Sequence, residues 1–447
     1  MTPSLKRPSG AMRAEPASAL SGTIKAPGDK SISHRAFILG GLANGVTEVT
    51  GLLESDDVLN SGRAVASLGA TVEHVGPGHW RIGGCGGRWT PPVAPLDFGN
   101  AGTGVRLMMG AVAGTGASAD FIGDASLSSR PMRRVTDPLG EMGARFATTD
   151  GRLPARLDGG PLTGIHYTPP VASAQVKSAI LLAALGATGT TVVHEPGITR
   201  DHTETMLKAF GVTLAVEREG DAATITLTGP QTLTACPVDI PGDPSSSAFA
   251  IVAALIVPGS DITLEGVMDN PARTGLIDTL KEMGADITVT PGRDMAGEKT
   301  MTVRARHSRL TGITVPATRA PSMIDEYPVL CVAAAYADGV THMPGLEELR
   351  AKESDRLAGS AAMLRANGVP VEEGEDSLAV TGMGAGGVPG GGLTPTHHDH
   401  RLAMSGLVIG LGARAGSSVD DVAMIATSYP DFFDHIAALG GQLGPVA

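Results

Sequence analysis

The stretch Leu280-Lys281-Glu282-Met283-Gly284-Ala285-Asp286-Ile287 decides the fold, because the same phrase occurs six times along the chain. The copies centre on Gly69, Gly143, Gly211, Gly284, Gly368 and Gly440. Four positions before each glycine stand Val65, Leu139, Leu207, Leu280, Leu364 and Ile436; three after it stand Val72, Phe146, Leu214, Ile287, Val371 and Leu443. A glycine free to take φ > 0 at the end of an apolar-periodic run predicts a helix stop with a strand following. The intervals of roughly 70–85 residues exceed an ordinary solenoid unit and suit about two helices with several strands apiece.

Each unit also carries a helix that is apolar almost all round: AFILGGLA from Ala36, VRLMMGAVAG from Val105, AILLAALG from Ala179, AFAIVAAL from Ala248, VLCVAAAYA from Val329 and LAMSGLVIGLG from Leu402. A helix without a polar face is expected to be buried. Four of them run into β-rich stretches (TEVTGL, TTVVHEPG, DITLEGV, THMPGL), so the unit mixes α and β rather than forming a helical bundle. Pro-Gly-Asp occurs at 27–29 and again at 241–243, and Pro/Gly punctuation suits chain crossings. The expected division is one domain of 28–241 and a discontinuous one of 1–27 plus 242–447.

Composition bounds the function. Lys plus Arg number 34 against 46 Asp plus Glu, a formal charge of −12, which argues against a general nucleic-acid binder. With 42% hydrophobic and 18% charged residues there is material for packed cores, and Phe 8, Tyr 4 and Trp 2 make those cores aliphatic. The apolar stretch 248–257 is too short to span a bilayer, and the polar N-terminus lacks a leader's apolar region, so a cytoplasmic protein without a membrane partner is expected. Cys85, Cys236 and Cys331 lie far apart, which suggests neither a disulfide framework nor a local thiolate metal site.

Polar and cationic residues stand in front of the apolar helices: Asp29-Lys30-Ser31 with His34-Arg35, Gly99-Asn100-Ala101-Gly102-Thr103 with Arg106, Ser173-Ala174-Gln175-Val176-Lys177, Gly242-Asp243-Pro244-Ser245-Ser246-Ser247, Asp325-Glu326, and His397-His398-Asp399-His400-Arg401. Helix N-termini offer free N–H groups and a positive dipole end to an anion. Ser, Asn and Asp there also read as ordinary N-caps. Cations held at the starts of buried helices are not needed for capping and point to a multiply anionic small ligand. In 349–357, helical spacing would put Lys352 and Arg356 on one face beside Glu353. Arg130 and Arg200 add loop cations.

Three decoys fall away. Lys30 follows Asp29 rather than the glycine of a P-loop. Gly382, Gly384 and Gly387 fit GxGxxG, but more Gly and Pro follow where a helix is required. The run 397–400 lacks clustered partners for a metal.

With KSISHR at 30–35, GNAGTGVR at 99–106, SRPM at 129–132, SAQVKSA at 173–179, GDPSSSAF at 242–249, KESDR at 352–356 and DHR at 399–401, nearly the whole chain resembles the 5-enolpyruvylshikimate-3-phosphate synthases. The resemblance implies a two-domain, inside-out α/β barrel fold of six βαβαββ repeats, three per domain, with the active site in the interdomain cleft. It implies transfer of the enolpyruvyl group of phosphoenolpyruvate to the 5-hydroxyl of shikimate 3-phosphate without metal or organic cofactor, in a monomer that glyphosate inhibits.

Matched by motif, the resemblance implies that Ser31 and Arg35 hold the shikimate carboxylate side. Ser173, Ala174, Gln175 and Arg200 are expected at the remainder of shikimate 3-phosphate. Gly102, Arg130, Gln175, Arg356 and Arg401 are expected at phosphoenolpyruvate, with Lys30 and Lys352 near both ligands. Asp325 is the expected base at the 5-hydroxyl; Glu353 and Lys30 are expected to handle the methylene proton. Asn100, Thr103 and Arg106 are supporting.

Ala174 replaces a serine common in the family, and Ala426-Thr427-Ser428-Tyr429-Pro430 lacks a lysine that many members carry there. With SMIDEYP and TRDHTE, these departures resemble the second class of bacterial enzymes. Gly102 has no Cβ to crowd the inhibitor, which predicts greater sensitivity than in alanine-bearing relatives. The rival readings are the sister transferase acting on UDP-N-acetylglucosamine, a non-catalytic anion binder, and a metal-dependent hydrolase. Many of the sister enzymes use a loop cysteine, and no cysteine here sits in an Arg-rich loop; Asp325 and Glu353 are present as a binder would not require.

Overall fold

All six repeat glycines take positive φ, from 78° at Gly368 to 108° at Gly143. Each closes a helix in the same way: the residue after the glycine donates its N–H to the aliphatic residue four before the glycine, at 2.9–3.3 Å, as in Ala285 to Leu280 and Ala144 to Leu139. This is the 6→1 bond of a Schellman stop, which satisfies a helix-end carbonyl. The helices so ended are Asp56–Ser67, Arg133–Glu141, His202–Ala209, Gly275–Glu282, Arg356–Ala366 and Phe432–Ala438. A strand follows every one: Thr71–Gly76, Arg145–Thr149, Leu214–Glu219, Asp286–Pro291, Val371–Glu373 and Leu443–Pro445.

The computed structural model describes residues 8–446; residues 1–7, where no leader's apolar region is expected, lie outside them. Two units emerge from the contacts, one of Gly28–Ile240 with Met295–Glu298, the other of Met1–Pro27, Pro241–Asp294 and Lys299–Ala447. The tetrapeptide Met295–Glu298 is the departure from a simple two-crossing division.

In the unit of Gly28–Ile240, three four-stranded sheets share one order. A short strand runs parallel to the next, which pairs antiparallel with the last strand of its repeat, which in turn pairs with the third. The sheet of Leu96–Asp97, Ala119–Ile122, Arg152–Asp158 and Arg145–Thr149 shows the pattern within one repeat. The first repeat instead receives its parallel strand from Val238–Asp239, on Val46–Thr50. The other unit mirrors this device: Ser21–Lys25 runs parallel to Asp261–Met268. Its second sheet has three strands, Val340–Met343, Leu378–Thr381 and Val371–Glu373, with only a bridge from Thr314 to His342 in the parallel place. Its third takes Met12–Ala14 between Ser417–Val419 and Leu443–Pro445.

The apolar helices lie inside, as their lack of a polar face requires. They are Lys30–Leu42, Gly102–Thr115 and Ala174–Ala184 in one unit, and Pro244–Ile256, Tyr327–Ala335 and His400–Gly412 in the other. Gly102–Thr115 packs on both its companions, and the other three pack pairwise. Close approach is bought by glycine: a Cβ on Gly110 would lie 2.2 Å from the Ala179 carbonyl oxygen, and one on Gly114 2.8 Å from that of Leu182. Glycine inside a helix costs about 1 kcal/mol relative to alanine, which the backbone-to-backbone packing offsets. No helix among the described residues is long and apolar enough to cross a membrane.

Candidate active site

In the unit of Gly28–Ile240, Asp29 caps helix Lys30–Leu42 by accepting the Ile32 N–H at 2.8 Å. That cap places Lys30 and Ser31 in the first turn, where Lys30 Nζ donates to Asp57. Arg35, one turn on, is buried: Nη1 donates to the Ser31 carbonyl at 2.9 Å, Nε to Thr203 Oγ1 at 2.7 Å and Nη2 to Ser178 Oγ at 2.8 Å. Its charge therefore stands behind Ser31 rather than at the surface. His34 is also buried, with Nδ1 bonded to Ser61 Oγ and Nε2 unpartnered. Burial first, then the charges of Lys30 and Arg35, holds it well below the usual histidine value and neutral.

Gly102 opens the next helix, whose Ala101 cap makes no side-chain bond. A Cβ at Gly102 would lie 3.1 Å from Arg130 Nη1 and 3.2 Å from Arg106 Nη1, so two guanidiniums flank this helix start. Arg130 Nη2 donates to Asn100 Oδ1 at 2.5 Å and to Ser126 Oγ at 3.2 Å. Arg106 Nη1 donates to Gln175 Oε1 at 2.9 Å, and Gln175 Nε2 to Thr103 Oγ1 at 3.0 Å. Asn100 is thus bonded to Arg130, and Thr103 and Arg106 to Gln175. Ser173 caps helix Ala174–Ala184, accepting the Val176 N–H at 3.4 Å. Arg200 stands half-buried in the loop before helix His202–Ala209.

In the other unit, Arg356 is 1% exposed and surrounded by carboxylates. Asp325 Oδ1 lies 3.0 Å from Nη1, Glu353 Oε2 2.6 Å from Nη2, and Asp399 Oδ2 2.8 Å from Nε. Burial works against the charge, but Asp399, Glu353 and Asp325 outweigh it and hold the guanidinium above its ordinary value. Asp399 also caps helix His400–Gly412 through the Arg401 N–H at 2.8 Å. Arg401 Nη1 lies 3.7 Å from Glu326 Oε1, and its buried Nε has no partner. Lys352 is half-buried, between the 3-10 turn Glu347–Ala351 and helix Arg356–Ala366.

Three details differ from the sequence expectation. Lys352 and Arg356 share no helix face: a 3-10 turn ends at Ala351, Lys352 is extended, and the helix starts at Arg356. Asp355 causes this by accepting the Ala358 N–H at 3.0 Å, which makes it the cap. Glu353 then meets Arg356 across the turn. The run Ser245–Ser247 is not the cap of its helix either; Asp243 is, and Arg273 Nη2 donates to Asp243 Oδ1 at 2.8 Å and Ser245 Oγ at 3.0 Å. Lys177, grouped above with polar helix starts, turns inward between Glu195 and Glu204, each at 2.7 Å.

Asp57, Arg273, Glu195 and Glu204 escaped the sequence reading, and Glu326 was read only as a polar residue at a helix start, without a partner. Only Glu326 carried a signal, as the neighbour of Asp325 in front of an apolar helix. The decoys behave as loops and caps: Gly384–Gly386 is a 3-10 turn, and Asp399 spends its oxygens on Arg356 and a helix start. Asp201, His202 and Glu298 bring ligand atoms within 4.8 Å of one another. There, however, His202 Nδ1 bonds Glu298 at 2.7 Å and Arg218 engages Asp201 at 3.1 Å, as a structural network would.

The family model described as EPSP synthase (3-phosphoshikimate 1-carboxyvinyltransferase) matches residues 14–436. A 3-phosphoshikimate 1-carboxyvinyltransferase of Maricaulis maris is 89% identical over 446 residues, covering 100% of both chains. The enzyme of that name from Rhizobium johnstonii is 55% identical over 435 residues, 96% of each chain. Among solved structures, EPSP synthase from Acinetobacter baumannii superposes with a TM-score of 0.87 at 41% identity, covering 97% of this chain and 100% of that one.

Proposed function

The chain belongs to the EPSP synthase family, and from that premise we propose how its residues divide the work. The reaction transfers the enolpyruvyl group of phosphoenolpyruvate to the 5-hydroxyl of shikimate 3-phosphate and releases phosphate. The 5-hydroxyl oxygen adds to C2 of phosphoenolpyruvate while C3 gains a proton, giving a tetrahedral intermediate. Loss of phosphate from C2 and of a proton from C3 then restores the enol double bond. The protein must hold two anions together, take the hydroxyl proton, and give and retrieve one carbon-bound proton.

Ser31, Ser173, Ala174, Gln175, Arg200 and Lys352 bind shikimate 3-phosphate, with Arg35 supplying positive charge behind Ser31. Gly102, Arg130, Gln175, Arg356 and Arg401 bind phosphoenolpyruvate, Gly102 by letting the anion approach the uncapped helix N-terminus. Asp325 is the base at the 5-hydroxyl. Glu353 and Lys30 exchange the C3 proton, and Lys30 serves both ligands. Charge-assisted contacts of about 1.5–3 kcal/mol each give such a cluster its grip.

The observation that carries this reading is the pairing of Asp325 and Glu353 on the one buried guanidinium of Arg356. Residues far apart in sequence are held as two carboxylates at one cation, the arrangement needed for two separate proton transfers beside an anion. Phosphate release from phosphoenolpyruvate in EDTA, with shikimate 3-phosphate or UDP-N-acetylglucosamine as acceptor, tests it. Release with shikimate 3-phosphate alone is expected, suppressed by about 10²-fold or more in Asp325→Asn and Glu353→Gln. Release with the sugar nucleotide, or undiminished turnover in both variants, overturns it.

We further propose that the enzyme is a cytoplasmic monomer that works without metal or organic cofactor and is inhibited by glyphosate. Glyphosate competition against phosphoenolpyruvate, light scattering and EDTA-insensitive turnover test inhibition, oligomeric state and metal independence, and cell fractionation tests the location.

A further inference from the structure

The irregular loop 196–201 carries Arg200 and joins strand Gly189–Glu195 to helix His202–Ala209. It is open to solvent at Ile198, yet its two ends meet one buried ammonium. Lys177 Nζ lies 2.7 Å from Glu195 Oε2 at the start of the loop and 2.7 Å from Glu204 Oε1 just beyond its end. The other oxygen of Glu195 accepts the hydroxyl of Thr199, the residue beside Arg200. Lys177 in turn is part of helix Ala174–Ala184, its N–H bonded to the Ser173 carbonyl at 3.1 Å. One chain of contacts therefore runs from the helix start at Ser173 to the loop at Arg200.

Lys177, Glu195 and Glu204 are all buried, and both carboxylates are committed to the Lys177 ammonium. Two carboxylates against one ammonium leave a formal deficit of positive charge in a buried site, and Glu204 Oε2 has no hydrogen-bond partner among the described residues. Buried ionic groups are a costly way to gain stability, whereas they do fix geometry, and a pre-set loop binds without a further ordering cost. The neighbouring contact of Arg35 with Thr203 and of Thr203 with Ser178 at 2.7 Å pins the same helix start from its other side.

We infer that Lys177, Glu195 and Thr199 form a positioning device that sets Arg200 against Ser173 and Gln175 and thereby the affinity for shikimate 3-phosphate. The inference rests on the reading of Arg200 as a contact to that substrate. A substitution of Lys177 would strand two buried carboxylates, so the informative variant is Thr199→Val, which removes only the link between the loop and Glu195.

Calorimetric titration of shikimate 3-phosphate and steady-state kinetics on the full chain are compared for the parent, Thr199→Val, Thr199→Ser and Arg200→Ala. Thr199→Val is expected to weaken shikimate 3-phosphate binding and raise its KM about five- to tenfold, somewhat less than the full worth of one hydrogen bond to a charged group. Its kcat and its KM for phosphoenolpyruvate stay at parental values, its melting temperature falls only by what one lost hydrogen bond to Glu195 removes, and Thr199→Ser restores binding. Loss of binding in Arg200→Ala with parental binding in Thr199→Val overturns the positioning role alone. Parental binding in Arg200→Ala overturns the assignment of Arg200 itself, and the positioning role with it.

Discussion

Asp399 grips Arg356 with both carboxylate oxygens, Oδ2 at 2.8 Å from Nε and Oδ1 at 3.3 Å from Nη2, while it caps helix His400–Gly412 through the Arg401 N–H. One fully buried carboxylate thus fixes two cations proposed to hold phosphoenolpyruvate. Asp399→Ala is expected to destabilise the protein by about 3 kcal/mol, the lower end for a broken buried pair, since Glu353 and Asp325 still face Arg356. In the folded fraction the KM for phosphoenolpyruvate rises more than about tenfold, the price of one misplaced charged contact. Calorimetric melting and initial rates decide; a stable variant with parental KM refutes it.

Gly102 lies between the guanidiniums of Arg130 and Arg106, so a methyl group there must push at least one of them by a few tenths of an ångström. Gly102→Ala is expected to raise the glyphosate inhibition constant by a larger factor than the KM for phosphoenolpyruvate, because the longer inhibitor needs the space more. Equal factors in paired inhibition and substrate titrations would count against this geometry.

His34 gives a pH signature. Its folded value lies well below the ordinary 6.5, with burial the leading cause. Below pH 6.5 the unfolded chain therefore binds a proton that the folded chain refuses, and stability falls as pH drops from there toward the folded value. Replacing it by His34→Asn should flatten that acid-side slope, whatever the shift in absolute stability. Urea midpoints measured across pH 5–7 report the slope; parallel curves for parent and variant would exclude His34 as its source.

Gly110→Ala tests the helix contact. The added Cβ meets the Ala179 carbonyl oxygen at 2.2 Å, a backbone atom with no freedom to swing aside. A loss of about 1–3 kcal/mol is expected from such overpacking, despite alanine's better helix propensity. A melting temperature at or above the parental one would show that the two helices separate without cost.

The parts of this fold legible in the sequence are those written by local rules. A Schellman glycine needs only the residues four before and one after it, so Gly69 and its five counterparts announce their helix ends, and helices without a polar face announce their burial. The pairing of Ser21–Lys25 with Asp261–Met268 had no such signal. Short parallel strands distant in sequence carry no marker of their partner. Charge patterns misled where a cap intervened: 352–356 has helical spacing, but the Asp355 side chain competes for the backbone and starts the helix later.

Of the candidate site, the cations and the carboxylates Asp325 and Glu353 were visible as motifs. What lies behind them was not. Lys177 resembled another helix-start cation because sequence shows a charge but not the direction of its side chain. Glu195 and Glu204 looked like ordinary acidic residues because their partner is revealed only by packing.

The placement of Met12–Ala14 bears on how the chain is made. Its neighbours in the sheet, Ser417–Val419 and Leu443–Pro445, leave the ribosome only after all of Gly28–Ile240 has been made. Synthesis proceeds from the N-terminus and domains fold as units, so Gly28–Ile240 can gather nearly all its strands while the preceding segment waits unpaired. A strand made before Gly28–Ile240 is therefore placed only after that whole unit has been synthesised, when its partners Ser417–Val419 and Leu443–Pro445 emerge.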